Sequence, residues 1–255
     1  AELTAFDRSF NDVLLRAARQ DDTWQAQLDS REASGDISWK AQGRGRLRAR
    51  LKQLVLNEPQ PGKAIIAEEP LRELPGLDVV AENLVLRDRK LGRLELQAVN
   101  EANSWRIDKL ALANSDGTFQ ADGIWKGGGT QINFKLDVGD IGRMLERLGY
   151  ADAVKRGTAR LEGTASWNGA PTQIDFATLD GNLEVEAARG QFNKLEPGVG
   201  RLLGILSLQS LPRRITLDFR DIFSDGFAFD AITGKARMVR GVMPNSRARS
   251  EMASA

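Results

Sequence analysis

Most of the chain alternates apolar and polar residues with a period of two. Trp24, Ala26 and Leu28 alternate with polar residues, and the same pattern recurs in many later segments. A period of two places apolar side chains on one face of a β-strand and polar side chains on the other. The pattern therefore predicts strands at 24–28, 37–41, 45–51, 77–86, 91–98, 105–112, 118–125, 131–138, 158–167, 172–177, 181–188, 214–220 and 226–240.

Only short segments carry a helical spacing of apolar residues. Residues 3–18 do so, and Thr4 followed by Asp7 resembles a capping box, so a helix is predicted there. A second helix is predicted at 140–148, with Asp140 as N-cap and Gly149 ending it. Because helices are few and short, the chain is predicted to be mainly β, built from antiparallel meanders.

One hairpin-like unit occurs twice. Residues 117–134 read GTFQADGIWKGGGTQINF and residues 157–176 read GTARLEGTASWNGAPTQIDF. The glycines, the tryptophan and the Thr-Gln-Ile-x-Phe end correspond, and the helix at 140–148 separates the copies. Repeated hairpins favour an extendable sheet over a compact enzyme.

The proline distribution predicts the organisation of the chain. Four of the eight prolines lie in 57–76, which is therefore predicted to be a connection. The predicted divisions are an N-terminal helix with the first strands at 1–56, this connection, a repeated β-hairpin region at 77–243, and a polar, disordered tail at 244–255.

The composition excludes several kinds of site. The chain has 255 residues, with 36 Lys and Arg against 35 Asp and Glu, which argues against a dedicated nucleic-acid-binding protein. There is no histidine and no cysteine, so Ser-His-Asp and Cys-His catalytic arrangements are excluded, and zinc would have only carboxylate ligands. No cofactor or metal is predicted. The chain starts at an alanine, and we expect it to be a piece of a longer protein.

Two patterns of charged residues are candidates for binding or catalytic sites. Cations at 44, 46, 48, 50 and 52 share one face of a predicted strand, where they would bind a phosphate-rich partner or form a solvated outer face. The balanced net charge favours the outer face. The many carboxylates contain no pair that stands out as a glycosidase site.

The stretch LEPGVGRLLGILSLQSLPRR at 195–214 raises the question of a phosphate-binding loop. The dinucleotide motif needs glycine at position 203, where this chain has leucine. The same residues predict a short amphipathic helix that begins near Pro197. Its apolar stripe would pack on the sheet or form a movable lip: Val199, Leu202, Leu203 and Leu206.

Aromatic residues recur inside the predicted strands. Two sheets packed face to face would bury them in a sandwich core, which the pattern alone favours. One long curved sheet would instead leave an apolar face open to a ligand, a membrane or a partner.

Several segments carry a family resemblance. The 195–214 stretch, followed by LDFRDIFSDGFAFD at 217–230, resembles the YhdP branch of the AsmA-like proteins of Gram-negative bacteria. LGRLELQA at 91–98, WRIDKLALAN at 105–114 and WNGAP at 167–171 also look like this branch. The resemblance covers about residues 35 to 242, and the polar tail departs from it.

This resemblance implies a fold and a function. Proteins of the branch have an inner-membrane anchor and a long periplasmic β-rich body thought to carry phospholipid towards the outer membrane. The implied fold is a curved antiparallel sheet of repeated hairpins forming an elongated apolar groove, with a few short helices. The implied function is non-enzymatic phospholipid transport in the cell envelope, with phospholipid as partner and no nucleic acid. The alternative is a structural or interaction module for outer-membrane assembly with a closed sandwich core.

The residues expected to line the groove are the apolar members of the alternating segments. They are Leu94, Leu96, Phe119, Ala121, Ile132, Phe134, Ile174, Phe176, Leu183, Val185, Ile215, Leu217 and Phe219, with the 199–206 helix as the groove lip.

Overall fold

A computed structural model describes residues 3–5, 8–56, 74–101, 103–193 and 227–252 of the chain. These residues form fifteen strands, one α-helix and one 3-10 turn, so the prediction of a mainly β protein with few helices is confirmed. The helix, α1, spans Ile141–Arg147, and the 3-10 turn spans Phe176–Thr178. The strands are β1 (Leu3–Ala5), β2 (Arg8–Phe10), β3 (Leu14–Gln20), β4 (Thr23–Asp29), β5 (Ala33–Lys40), β6 (Arg46–Leu56), β7 (Gly76–Leu86), β8 (Arg89–Glu101), β9 (Ser104–Asn114), β10 (Gly117–Lys126), β11 (Gly129–Val138), β12 (Val154–Asn168), β13 (Asp180–Phe192), β14 (Phe227–Val239) and β15 (Val242–Met252).

The chain divides into two compact units. Unit 1 comprises residues 1–114, 119–130 and 169–173, and unit 2 comprises residues 115–118, 131–168 and 174–255. Within the described part of each unit the long strands form one open sheet with its strands in chain order, and β1 and β2 form a separate two-stranded sheet in unit 1. Neither unit is by itself the two-sheet sandwich that the pattern alone favoured.

One strand pair departs from the predicted antiparallel arrangement. In unit 1, β6 and β7 are parallel, with Leu47 opposite Leu77 and Leu51 opposite Ala81. A parallel pair needs a crossover of a dozen or more residues, and the chain between these two strands is long enough to supply it. The sheet of unit 1 is therefore mixed.

The predicted N-terminal helix over 3–18 is wrong. The structure places β1, β2 and most of β3 in this range. β3 pairs antiparallel with β4, and Asp21 between them has a left-handed backbone with φ of 53°. Helical spacing over a short segment was outweighed by hydrogen bonding to the next strand across a tight hairpin turn, which apolar periodicity does not detect.

Two predictions near the second repeat and the tail are also wrong. Residues 172–177 do not form a strand, because Pro171 lacks an N–H for a ladder and Asp175 caps the 3-10 turn by accepting from the Ala177 N–H at 3.0 Å. Up to Met252, the tail belongs to strand β15 and is not disordered. Its hairpin turn is Arg240–Gly241, whose positive φ values of 49° and 73° suit a two-residue hairpin.

The helix predicted at 140–148 is confirmed. The Asp140 side chain accepts from the Arg143 N–H at 3.0 Å, and Gly149 has φ of 92°. The N–H groups of Gly149 and Tyr150 donate to the last helical carbonyls, of Glu146 and Leu145, which is the hydrogen-bond pattern of a glycine-terminated helix.

This helix packs on two glycines that correspond in the two repeat copies. A Cβ added to Gly117 would lie 2.9 Å from Met144 Cε, and one added to Gly157 would lie 3.1 Å from Ile141 Cδ1. Both glycines therefore give α1 room for a close approach. No helix in the described part of the chain is long and apolar enough to cross a membrane.

Candidate functional site

The apolar face of unit 1 is organised in rungs that run across the strands. Residues directly opposite each other on neighbouring strands place their side chains on the same face. Three rungs follow from the strand registers. They are Leu28–Gly35–Leu51–Ala81–Leu94–Leu112, Ala26–Ile37–Ala49–Val79–Leu96–Leu110 and Trp24–Trp39–Leu47–Leu77–Ala98–Ile107.

Much of this face is buried by its own neighbours. One cluster of buried residues centres on Ala81, which is 0% exposed, with Leu51 and Leu94 beside it. A second cluster contains Ala98, Trp105, Ile107 and Trp125. Leu and Ile side chains fill the space between rungs, so unit 1 has a packed apolar layer.

The apolar face of unit 2 has a different composition. Each of its rungs contains at least one Gly or Ala: Leu183 lies between Gly163 and Ala236, and Val185 lies between Leu161 and Gly234. The full set is Ala159–Ala187–Ile232, Leu161–Val185–Gly234, Gly163–Leu183–Ala236 and Ala165–Gly181–Met238. All twelve of these residues are half-buried. Unit 2 therefore presents an apolar surface that its own side chains leave partly accessible.

The opposite faces are polar and their charges are largely paired. On β6, Arg50 makes a bidentate bond to Asp78 at 2.8 and 2.9 Å. Arg44, which precedes β6, donates to the Glu101 carbonyl at 2.6 Å. In unit 2, Lys235 pairs with Glu184 at 2.5 Å. These contacts support the solvated outer face rather than a phosphate-binding strip.

A buried carboxylate fastens α1 to the turn before β10. Asp116 has a 2% exposed side chain, and it accepts from Arg147 Nη2 at 2.5 Å and Nε at 2.8 Å. Burial alone would raise the pKa of Asp116, but the hydrogen bonds of Arg147 and Ser115 and the charges of Arg147 and Arg143 hold it below its usual value. This network holds α1 against the turn before β10, so its role is structural.

Two tryptophans of the second buried cluster differ in the hydrogen bonding of their indole N–H groups. Trp105 Nε1 donates to the Pro75 carbonyl at 3.0 Å. Trp125 Nε1 is buried and has no hydrogen-bond partner among the described residues. An unpaired donor in an apolar cluster is unusual in a folded protein.

The structure separates the predicted groove residues into four groups. Leu94 and Ala121 are buried, and Leu96, Phe119, Ile132, Phe134, Leu183 and Val185 are half-buried on strands. Ile174 and Phe176 lie outside any strand and are 49% and 71% exposed. Ile215, Leu217, Phe219 and the lip residues Val199, Leu202, Leu203 and Leu206 lie outside the described residues.

The prediction omitted the earlier strands. Ile37, Val79 and Leu110 extend the same apolar rungs, and their alternation with polar residues was the available signal. Within the described residues, no group of three or more acidic side chains could hold a metal ion.

Comparisons with known proteins find a matching family and a related protein. A model of the family described as "YhdP protein" matches residues 1–255. "Intermembrane phospholipid transporter YhdP" of Escherichia coli (strain K12) is 28% identical over 160 residues, which are 61% of this chain and 13% of that protein. The chain thus spans a small part of that relative's length, and no solved structure matches it. The family match over its whole length establishes that the chain belongs to the YhdP family.

Proposed function

We propose that the chain is a non-enzymatic segment of an intermembrane phospholipid transporter of the Gram-negative envelope, where it holds acyl chains against its apolar sheet surface. In this proposal the segment lies in the periplasm and belongs to a longer protein anchored in the inner membrane. Membership of the YhdP family and the printed function of the E. coli relative support it.

The observation that carries the proposal is the half-buried apolar face of unit 2. An acyl chain needs continuous apolar surface, because each buried CH₂ group contributes about 0.8 kcal/mol. Rungs such as Gly163–Leu183–Ala236 provide that surface, and their residues are half-buried. Such binding needs no catalytic group, which is compatible with a chain without histidine or cysteine.

The packed apolar layer of unit 1 favours a second candidate function. A face buried by its own side chains suits a structural module for outer-membrane assembly, in which no lipid is held. The two functions differ in whether the apolar faces accept lipid.

A charge placed on the apolar face of unit 2 separates them. Phe134 is half-buried, and a Cβ added to Gly163 would lie 3.1 Å from its Cζ atom. We expect Phe134→Asp to remain folded by circular dichroism and to take up less fluorescent phospholipid than the wild type, because a carboxylate there would lie against acyl chains.

The matched control is Gln131→Asp, an exposed position of opposite parity on β11, which should leave uptake unchanged. Unfolding of Phe134→Asp would support a closed core and the structural module. A folded Phe134→Asp with wild-type uptake would contradict the transport proposal.

A further inference from the structure

We propose that the indole N–H of Trp125 is a polar anchor for bound phospholipid and donates a hydrogen bond to an acyl ester carbonyl. This inference rests on the proposed function and specifies one contact that the lipid would make. It assigns a ligand to a buried donor that has no acceptor among the described residues.

The indole N–H of Trp125 is a buried hydrogen-bond donor. Trp125 lies on β10 with 8% of its surface exposed, and its Nε1 atom has no acceptor among the described residues. A buried N–H that loses water without gaining an acceptor is costly, so nearly all such groups in folded proteins have a partner.

Trp105 shows that an indole N–H in this cluster can find a hydrogen-bond acceptor. Trp105, in the same cluster, donates to the Pro75 carbonyl at 3.0 Å. The two side chains thus share an apolar environment, and only Trp105 has its donor used within the described chain.

The surroundings of Trp125 select the chemistry of the acceptor. Its cluster contains Ala98, Trp105 and Ile107, and the residues packed around it are leucines and an alanine. A phosphate oxygen would enter this site without a counter-charge, and an uncompensated buried charge is far more costly than a neutral group. A neutral ester carbonyl therefore fits, and it is the acceptor that lies next to the acyl chains in a phospholipid.

The site is continuous with the apolar face of unit 1. Ala98 and Ile107 belong both to the Trp125 cluster and to the rung that begins at Trp24. Trp24 is 47% exposed and the middle of this rung is half-buried, so the rung is more open than the packed centre around Ala81, and an acyl chain lying along it would lead to the tryptophans. Tryptophan suits such a position, because it combines a large apolar ring with one donor.

Two of the side chains that pack against the Trp125 cluster lie outside the strands. Leu74, which precedes β7, and Ala170, which follows β12, both pack against the cluster. Displacing either side chain breaks no pairing between strands, so a lipid could reach the indole while the sheet stays intact.

The test is a two-dimensional ¹H–¹⁵N spectrum of the whole chain labelled at its five tryptophans. The indole signals are assigned by single Trp→Phe variants. The probes are phosphatidylglycerol with two ester-linked acyl chains and the analogue with two ether-linked chains, which lacks both carbonyls. We expect the Trp125 indole proton to move downfield with the ester lipid only, and the Trp105 signal to stay in place with both.

The affinities give a second readout. The wild type should bind the ester lipid about three- to tenfold more tightly than the ether lipid, the range expected for one neutral hydrogen bond. Trp125→Phe should lose this preference. Trp105→Phe, whose donor is already used by Pro75, should keep it.

The outcomes separate this inference from the proposed function. Bound lipid with an unmoved Trp125 signal, or equal shifts with both lipids, would overturn only the role of Trp125. Absence of any bound lipid would overturn the transport proposal and this inference with it. The spectra of the wild type decide the question even where Trp125→Phe fails to fold.

Discussion

The two units carry apolar faces that follow the same strand pattern and differ in side-chain size. In unit 1, rungs such as Ala49–Val79–Leu96–Leu110 place several larger residues beside one small residue, and much of the face is buried. In unit 2, rungs such as Gly163–Leu183–Ala236 place one large residue among small ones, and every rung residue from β12 to β14 is half-buried.

The difference in side-chain size between the units shows that alternation and packing are separate properties of a sheet. Alternation decides which face is apolar. The volume of the side chains on that face decides whether they cover one another. We infer that unit 1 contributes most to stability and that unit 2 offers more apolar surface to a lipid.

The largest expected effect comes from the same substitution made in each unit. Leu94→Asp should lower the free energy of unfolding by at least about 4 kcal/mol, because it buries a charge in a packed cluster. Leu183→Asp should cost only about 1–2 kcal/mol, because its side chain is half-buried between small residues. Urea unfolding of both variants measures the difference. Equal losses would contradict the contrast between the units.

The next effect concerns the buried carboxylate that holds α1 in unit 2. Asp116→Asn should cost about 3 kcal/mol, because Arg147 loses its ionic partner at a site where the Asp116 side chain is 2% exposed. Asp137→Asn is the control, because the Asp137–Arg160 pair is largely exposed and its loss should change stability little. Similar losses for both variants would show that the Asp116–Arg147 pair contributes no more to stability than an exposed ion pair.

The pH dependence of the same variant gives a further check. Since the folded-state pKa of Asp116 lies below its usual value, its stabilising contribution is complete above about pH 4, the ordinary pKa of aspartate. The contribution is lost as the pH falls through the lowered value. Unfolding measured at neutral pH and near pH 2 should therefore show the gap between wild type and Asp116→Asn narrowing on the acidic side; a constant gap would be inconsistent with this pKa.

The smallest effect comes from enlarging an alanine in each unit. Ala81→Leu should destabilise by about 2 kcal/mol, because Ala81 is 0% exposed and the added atoms have no space. Ala236→Leu should leave stability nearly unchanged and reduce the amount of lipid bound, because its face in unit 2 is partly open. Thermal melts and lipid loading of the two variants test this, and a greater loss of stability for Ala236→Leu would reverse the comparison.

Local sequence patterns predicted most strands and the helix α1. Alternation around Leu94 and Leu96 and the Asp140 cap are signals carried by neighbouring residues, and the structure follows them. The 172–177 segment shows where this fails, since it matches the first repeat yet Pro171 and Asp175 redirect the backbone into a 3-10 turn.

Pairing between neighbouring strands accounts for the other differences. Nothing near Leu14 signals that β3 pairs with β4, and nothing in the composition of β15 signals that it pairs with β14. The indole N–H of Trp125 has no hydrogen-bond acceptor among the described residues, and this could not be predicted, because the sequence marked Trp125 only as an apolar strand residue. The candidate surface could be predicted as an alternating face, whereas the contrast between the units depends on cross-strand registers.

Native mass spectrometry of the wild-type chain after mild purification tests the central claim most directly. We expect phospholipid to copurify with the wild type, to be lost when Leu183 is replaced by aspartate, and to be retained in the Gln131→Asp control. A wild-type chain that carries no phospholipid and also takes up none when it is supplied would contradict the account.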